Sequence, residues 1–155
     1  MKRIFLLSAL FLAVALGDAL AACSGTKITD IQGALTNKLV CAKATVNHPN
    51  PNDTWTEEHQ PIAGTTGPLI EYAKGPNDPI DPRKQVGTWG VTIGRDGSPA
   101  VIYNYGSVAT TFVWTLFFQS GSSYLFCTTD GNTAIATAAI TNLLVNAGNP
   151  CPARQ

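Results

Sequence analysis

Six consecutive residues hold most of the groups in this sequence that could do chemistry. Thr54-Trp55-Thr56-Glu57-Glu58-His59 puts an indole, two carboxylates and an imidazole in a row, with His48 and Asp53 nearby. Histidine and carboxylate are the ligands zinc takes and the pair that general acid–base catalysis uses. His48, Glu57 or Glu58, and His59 could supply the three ligands a divalent metal usually needs. The spacing is not that of His-Glu-x-x-His on a helix, where i and i+4 share a face. In a loop, such neighbours converge only where the chain folds back. The simpler reading has His59 and the glutamates capping turns or facing water, as charged side chains mostly do, while Trp55 covers a sheet. Beyond that one divalent ion, the sequence calls for no cofactor.

Aromatic side chains form the second group. Phe112, Trp114, Leu116 and Phe118 alternate on one face of a strand, with Val113 and Phe117 on the other. Tyr124 and Phe126 likewise oppose Leu125 and Cys127. A strand that is apolar on both faces is covered on both sides or lines a cavity. One layer is then core. The other must be covered by this chain's own long loop, by a partner protein or by a hydrophobic ligand. Trp55, Tyr103, Tyr105, Phe117, Tyr124 and Phe126 make up the candidate ligand or partner surface. The loop can offer Trp55, Leu69, Ile70 and Tyr72 as cover.

Val86-Gly87-Thr88-Trp89 resembles the Gly-x-Trp motif of lipocalins, small barrels that bind apolar ligands. The likeness spans three residues, and here they follow a long N-terminal region, whereas lipocalins carry them on the first strand. The resemblance implies a carrier of a small hydrophobic molecule. There is no Gly-x-Ser-x-Gly elbow, no Walker loop and no Cys-x-x-Cys pair. A serine nucleophile would need His48 or His59 to reach it across the fold.

These residues must be positioned by strands. Val86–Gly94, Ala100–Tyr105, Thr110–Gln119 and Ser123–Thr129 read as a meander with short connections, so neighbours should pair antiparallel. Asp96-Gly97 and Asp130-Gly131 supply tight turns. Thr133–Val145 has both helical and strand spacing; its threonines favour a strand beside 123–129. Leu39–Val46 reads as another strand, with Val40, Ala42, Ala44 and Val46 on one face. Before it, Ile28, Ile31, Leu35 and Leu39 recur at spacings of three and four and predict a short helix opened by Thr29 and Gln32 and ending near Thr36. Residues 47–85 hold seven of the ten prolines and read as a long loop in which only Leu69–Tyr72 resembles a strand. The expected fold is mainly β: an antiparallel meander of six or seven strands, curled or closed as a small barrel or sandwich, with one short N-terminal helix, all in a single domain spanning 22–155.

Met1-Lys2-Arg3, a 13-residue uncharged run from Ile4 to Leu16, and Ala19-Leu20-Ala21 make a three-part secretory signal ending at Ala21. The run is shorter than the roughly 20 residues needed to cross a bilayer. Leu20-Ala21-Ala22-Cys23 also resembles the lipobox of bacterial lipoproteins, which implies a lipid anchor at Cys23. Four cysteines, Cys23, Cys41, Cys127 and Cys151, lie beyond the cut and can close two bridges in an oxidising compartment. Proximity favours Cys23–Cys41, and Cys127–Cys151 would tie down the tail. Ten basic and ten acidic residues balance, which gives no reason to expect nucleic acid or an anionic membrane as partner. The expectation is a secreted, periplasmic or extracellular disulfide-stabilised β-domain with a noncatalytic binding or structural role. A lipocalin-like carrier and a metal-dependent or acid–base hydrolase centred on Trp55–His59 are the alternatives.

Overall fold

The computed structural model describes residues 22–51, 53–72, 84–106 and 110–142. The secretory signal, the lipobox residues before Ala22, and Cys151 lie outside these. Nine strands and one helix follow in order: β1 (Thr26–Lys27), α1 (Ile31–Leu35), β2 (Lys38–Ala44), β3 (Thr54–His59), β4 (Gly67–Glu71), β5 (Lys84–Ile93), β6 (Pro99–Tyr105), β7 (Thr110–Ser120), β8 (Ser123–Cys127) and β9 (Ala134–Asn142). From β2 to β9 each strand pairs antiparallel with the next, and β9 returns to pair with β2. The sheet thus closes into an eight-stranded barrel, with β1 added beside β7.

The strand count exceeds the expected six or seven because the proline-rich region is not one loop. β3 and β4 both lie inside it and close the wall between β2 and β5. Pro68 is tolerated within β4, and Thr54-Trp55-Thr56 carries enough β-branched and aromatic character to pair along β2 despite the prolines before it. The segment 133–142 is a strand, pairing on one side with β8 and on the other with β2.

Alternation sorts the side chains. Val40, Ala42, Trp55, Leu69, Trp89, Tyr103, Trp114, Leu116, Phe126, Ala136, Ala138 and Ile140 pack together in the core. Outer positions include Thr88, Asn104, Thr111 and Thr137, opposite in pleat to those core residues. Eight strands meet the minimum for an outer-membrane barrel, but such barrels turn a continuous apolar band to lipid, and this polar series interrupts it. Among the described residues no helix is long and apolar enough to cross a membrane.

Helix α1 closes one end. It touches β2, β5 and β6, strands on opposite sides of the eight-membered ring, so it must lie across the opening. Ile31 and Leu35 are buried against the core. The N-cap is Asp30 rather than Thr29: its side chain accepts from the Gly33 backbone N–H at 2.8 Å. The helix ends at Thr36, as its composition predicts.

The bridges differ from the expected pairing. Cys23 is joined to Cys127, 104 residues away, and Cys41 is also disulfide-bonded, so neither Cys23–Cys41 nor Cys127–Cys151 forms. Sequence proximity misled because the N-terminal segment runs beside β7 instead of staying with β2. Ala22 bridges Thr133, Thr26 pairs with Phe118, and the segment is thereby brought to the end of β8.

Candidate functional site

Because residues 54–59 form a strand, their side chains divide. Trp55, Glu57 and His59 face inward, while Thr54, Thr56 and Glu58 face out. Glu57 is only 4% exposed and His59 is fully buried. The expected metal set is therefore not assembled. Glu58 lies on the outer side and accepts from the Tyr72 hydroxyl at 2.9 Å. His48 stands in the turn after β2, its ring 5.8 Å from Trp55 and its Nδ1 engaged with the Asn50 backbone. Among the described residues, no three His, Cys, Asp or Glu side chains converge to hold a metal ion.

What the barrel does assemble is a buried polar cluster. The Tyr105 hydroxyl donates to Glu57 Oε1 at 2.7 Å, and His59 Nε2 lies 2.9 Å from the Tyr103 hydroxyl. Tyr103 and Tyr105 come from alternate positions of β6 and stack at 6.3 Å. Glu71, opposite Glu57 on β4, brings a second carboxylate to the same face. Burial pushes Glu57 up to about 8; the Tyr105 hydrogen bond opposes this and Glu71 adds to it. The Glu57 carboxyl is thus mostly protonated at neutral pH. Burial pushes His59 down to about 3, so the imidazole is neutral. Both tyrosines are raised, first by burial and then by the charge of Glu57. His59 Nδ1 is buried without a hydrogen-bond partner, between edge-on contacts to Trp89 and Tyr103.

Above this cluster, the end of the barrel away from α1 carries an open cleft of about 690 Å³. It is formed where β5 begins, β6 ends and β7 begins, and it is lined by Gln85, Gly87, Asn104, Tyr105, Thr110 and Thr111 among others. A β-bulge between β4 and β5 makes Val86 an extra residue at this point, where bulges often re-aim side chains. Gly87 is required because a Cβ there would run into the Asn104 carbonyl. Among the described residues the lining is uncharged and rich in hydrogen-bonding groups. Tyr105 belongs to both the cleft and the buried cluster. Comparison with family models, with curated proteins and with solved structures finds no match to the chain.

The aromatic candidates do not form one surface. Tyr103 and Phe126 are core, in contact at 6.3 Å, and both touch Trp114. Trp55 is half-buried and packs on Trp114. Tyr124 is half-buried and packs edge-on against Phe118, on the core side. Phe117 faces out, where Lys27 lies over its ring at 5.7 Å and Gly131 approaches it. Only Tyr105 reaches the cleft. Gln85, Asn104, Thr110 and Thr111 of the cleft carry neither charge nor aromatic rings, and their types are common on any exposed strand, so nothing in the sequence singles them out. The inward pairing of Glu57 with His59 was signalled by the two-residue period of Trp55, Glu57 and His59.

A general acid must reach its substrate. Glu57 is covered, and among the described residues it meets the cleft through Tyr105. The arrangement can hold a neutral carboxylic acid behind a phenol and pass a proton between them. Among the described residues that line the cleft, none is an activated nucleophile.

Proposed function

We propose that this protein is an exported, noncatalytic binding module, acting in the periplasm or outside the cell, that takes a small uncharged hydrogen-bonding ligand in the cleft at the end of its barrel. The observation that carries this reading is the cleft itself: an open concavity of mixed polar and apolar lining, uncharged among the described residues, beside a bulged strand pair, on a barrel whose other end is closed. Sites of this kind fix a ligand with a few placed polar groups. The Cys23–Cys127 bridge supports an oxidising compartment. A lipid anchor at Cys23 is disfavoured, because that thiol is already in the bridge.

A lipocalin-like carrier is the second reading, favoured by the closed eight-stranded barrel. Its hydrophobic ligand would have to enter along an axis already filled by Trp89, Tyr103, Trp114 and Phe126. The third reading, a hydrolase centred on Trp55–His59, lacks both a converged metal set among the described residues and an acid exposed to substrate.

The test is saturation-transfer NMR on the folded monomer. Neutral mono- and disaccharides and capped, uncharged di- and tripeptides are screened beside the apolar probe N-phenyl-1-naphthylamine. Signals from an uncharged polar ligand that vanish in Asn104→Arg, which fills the cleft, are the expected result. Stoichiometric binding of the naphthylamine that survives Asn104→Arg would move the assignment to the carrier. No binding by any member of the panel would remove the ligand reading and leave a structural role.

A further inference from the structure

We propose that occupancy of this cleft is coupled to the proton on Glu57, with Tyr105 as the link. The inference rests on the cleft being the binding site, and it adds a form of regulation to it.

Tyr105 lines the cleft and its hydroxyl is held by the Glu57 carboxyl at 2.7 Å. Whatever changes that carboxyl changes the residue a ligand touches. Among the described residues, the groups facing Glu57 are few. From β4 comes Glu71, a second acid; from β6 come Tyr103 and Tyr105; from its own strand comes His59, which stays neutral. Val40 of β2 is opposite and apolar. Lys84, opposite Glu71 on β5, is exposed. No cation among these is placed to balance a charge on Glu57.

While Glu57 keeps its proton, this end of the core is neutral and suits an uncharged ligand. When the proton leaves, a buried carboxylate stands beside a second one. A buried charge without a partner is strongly disfavoured unless water or a cation comes to it. The adjoining cleft is the open route by which either can come. An uncharged ligand in the cleft must then compete with water or a cation, and it is released as the pH rises. The burial of Glu57 puts this transition near pH 8. The proton passes from the carboxyl to solvent, and no bond between heavy atoms is made or broken.

The test needs no ligand. The backbone amides of Gly87, Gly106 and Thr110 are followed by two-dimensional NMR on the mature chain over roughly pH 6 to 10, a range that brackets the raised acid. The wild type should show one shared midpoint near 8. Glu57→Gln, which keeps an acceptor for Tyr105 but cannot ionise, should flatten the titration. Glu71→Gln should lower the midpoint, because a like charge is gone. Tyr105→Phe should raise it, because a hydrogen bond to the carboxylate is gone. The last two keep the proposal falsifiable if Glu57→Gln fails to fold. Cleft amides that titrate unchanged in Glu57→Gln, or midpoints that do not move in opposite directions in the other two variants, would overturn it. Failure of the ligand panel alongside a Glu57-dependent titration would instead count against the ligand assignment and leave the coupling standing.

Discussion

The two ends of this barrel are built on different principles. At one end, Ile31 and Leu35 of a five-residue helix cross the opening and seal Trp89, Leu69 and Val101 from water. The indole N–H of Trp89 is satisfied by the Gln60 carbonyl at 2.8 Å. At the other end, no helix lies across the ring among the described residues. A carboxylic acid, two phenols and an uncharged cleft occupy that region. The difference separates the end built for close packing from the end that carries the proposed site. The closed end buries mainly apolar side chains, although Thr36 Oγ1 and His59 Nδ1 are buried there without a partner. The cleft end keeps an ionisable acid in the core, and groups of this kind concentrate at functional sites.

The largest effect should come from breaking the closed end. Trp89→Ala removes a fully buried indole and should cost about 3–5 kcal/mol. Phe112→Ala, at a half-buried position two residues along β7 from Thr110 of the cleft, should cost about half as much, since less of its surface leaves water. Urea unfolding with an unchanged m-value measures both. Equal losses would show that the two ends are equally close-packed, and the contrast drawn between them would fail.

Much of the closed end can be read from the sequence, and little of the cleft end can. Ile31 and Leu35 have helical spacing, Val40 and Ala42 alternate, and Phe112, Trp114, Leu116 and Phe118 mark a long half-buried strand. These patterns depend only on local periodicity, and the structure follows them. β3 was harder to read because prolines surround it and its inward residues include a glutamate and a histidine, types that ordinarily signal exposure. Its burial is set by β2 and β4 on either side, which is tertiary information. The cleft depends on a bulge at Val86 and on the stagger of three strand ends, neither of which leaves a composition signal. The disulfide pairing was hidden for a similar reason: it depends on β1 running beside β7, where Lys27 pairs with Phe117, 90 positions on in sequence but adjacent in the sheet.

A smaller but sharper test uses pH, because the buried groups act in opposite directions. Glu57 rises from 4.5 to about 8 on folding, so the folded state holds a proton that the unfolded chain has lost. Its contribution is fully present below pH 4.5 and is lost as the pH rises to 8. His59 falls from 6.5 to about 3, so its burial costs stability below 6.5, and that cost disappears as the pH rises from 3 to 6.5. Between 4.5 and 6.5 the two slopes oppose each other; from 6.5 to 8 Glu57 acts alone of the pair. Stability should then fall by about 1.4 kcal/mol per pH unit over that interval, the slope for one proton. Glu57→Gln should remove the fall. Denaturant midpoints across the interval measure it, and a slope that persists in Glu57→Gln would assign the proton elsewhere.

The smallest effect returns to the helix that makes the two ends different. Asp30 caps α1 by accepting from the Gly33 N–H, and α1 is too short to hold its shape by its own hydrogen bonds. Asp30→Ala should cost about 1 kcal/mol. Asp30→Asn should cost much less, since the amide oxygen can still accept. If the helix is only a plug held by Ile31 and Leu35, both substitutions should leave the Trp89 fluorescence of the native state unchanged while the first lowers the unfolding midpoint. A shift in native fluorescence with Asp30→Ala would show that the cap also sets where the helix sits over Trp89, so that the seal at this end depends on one exposed carboxylate as well as on apolar packing.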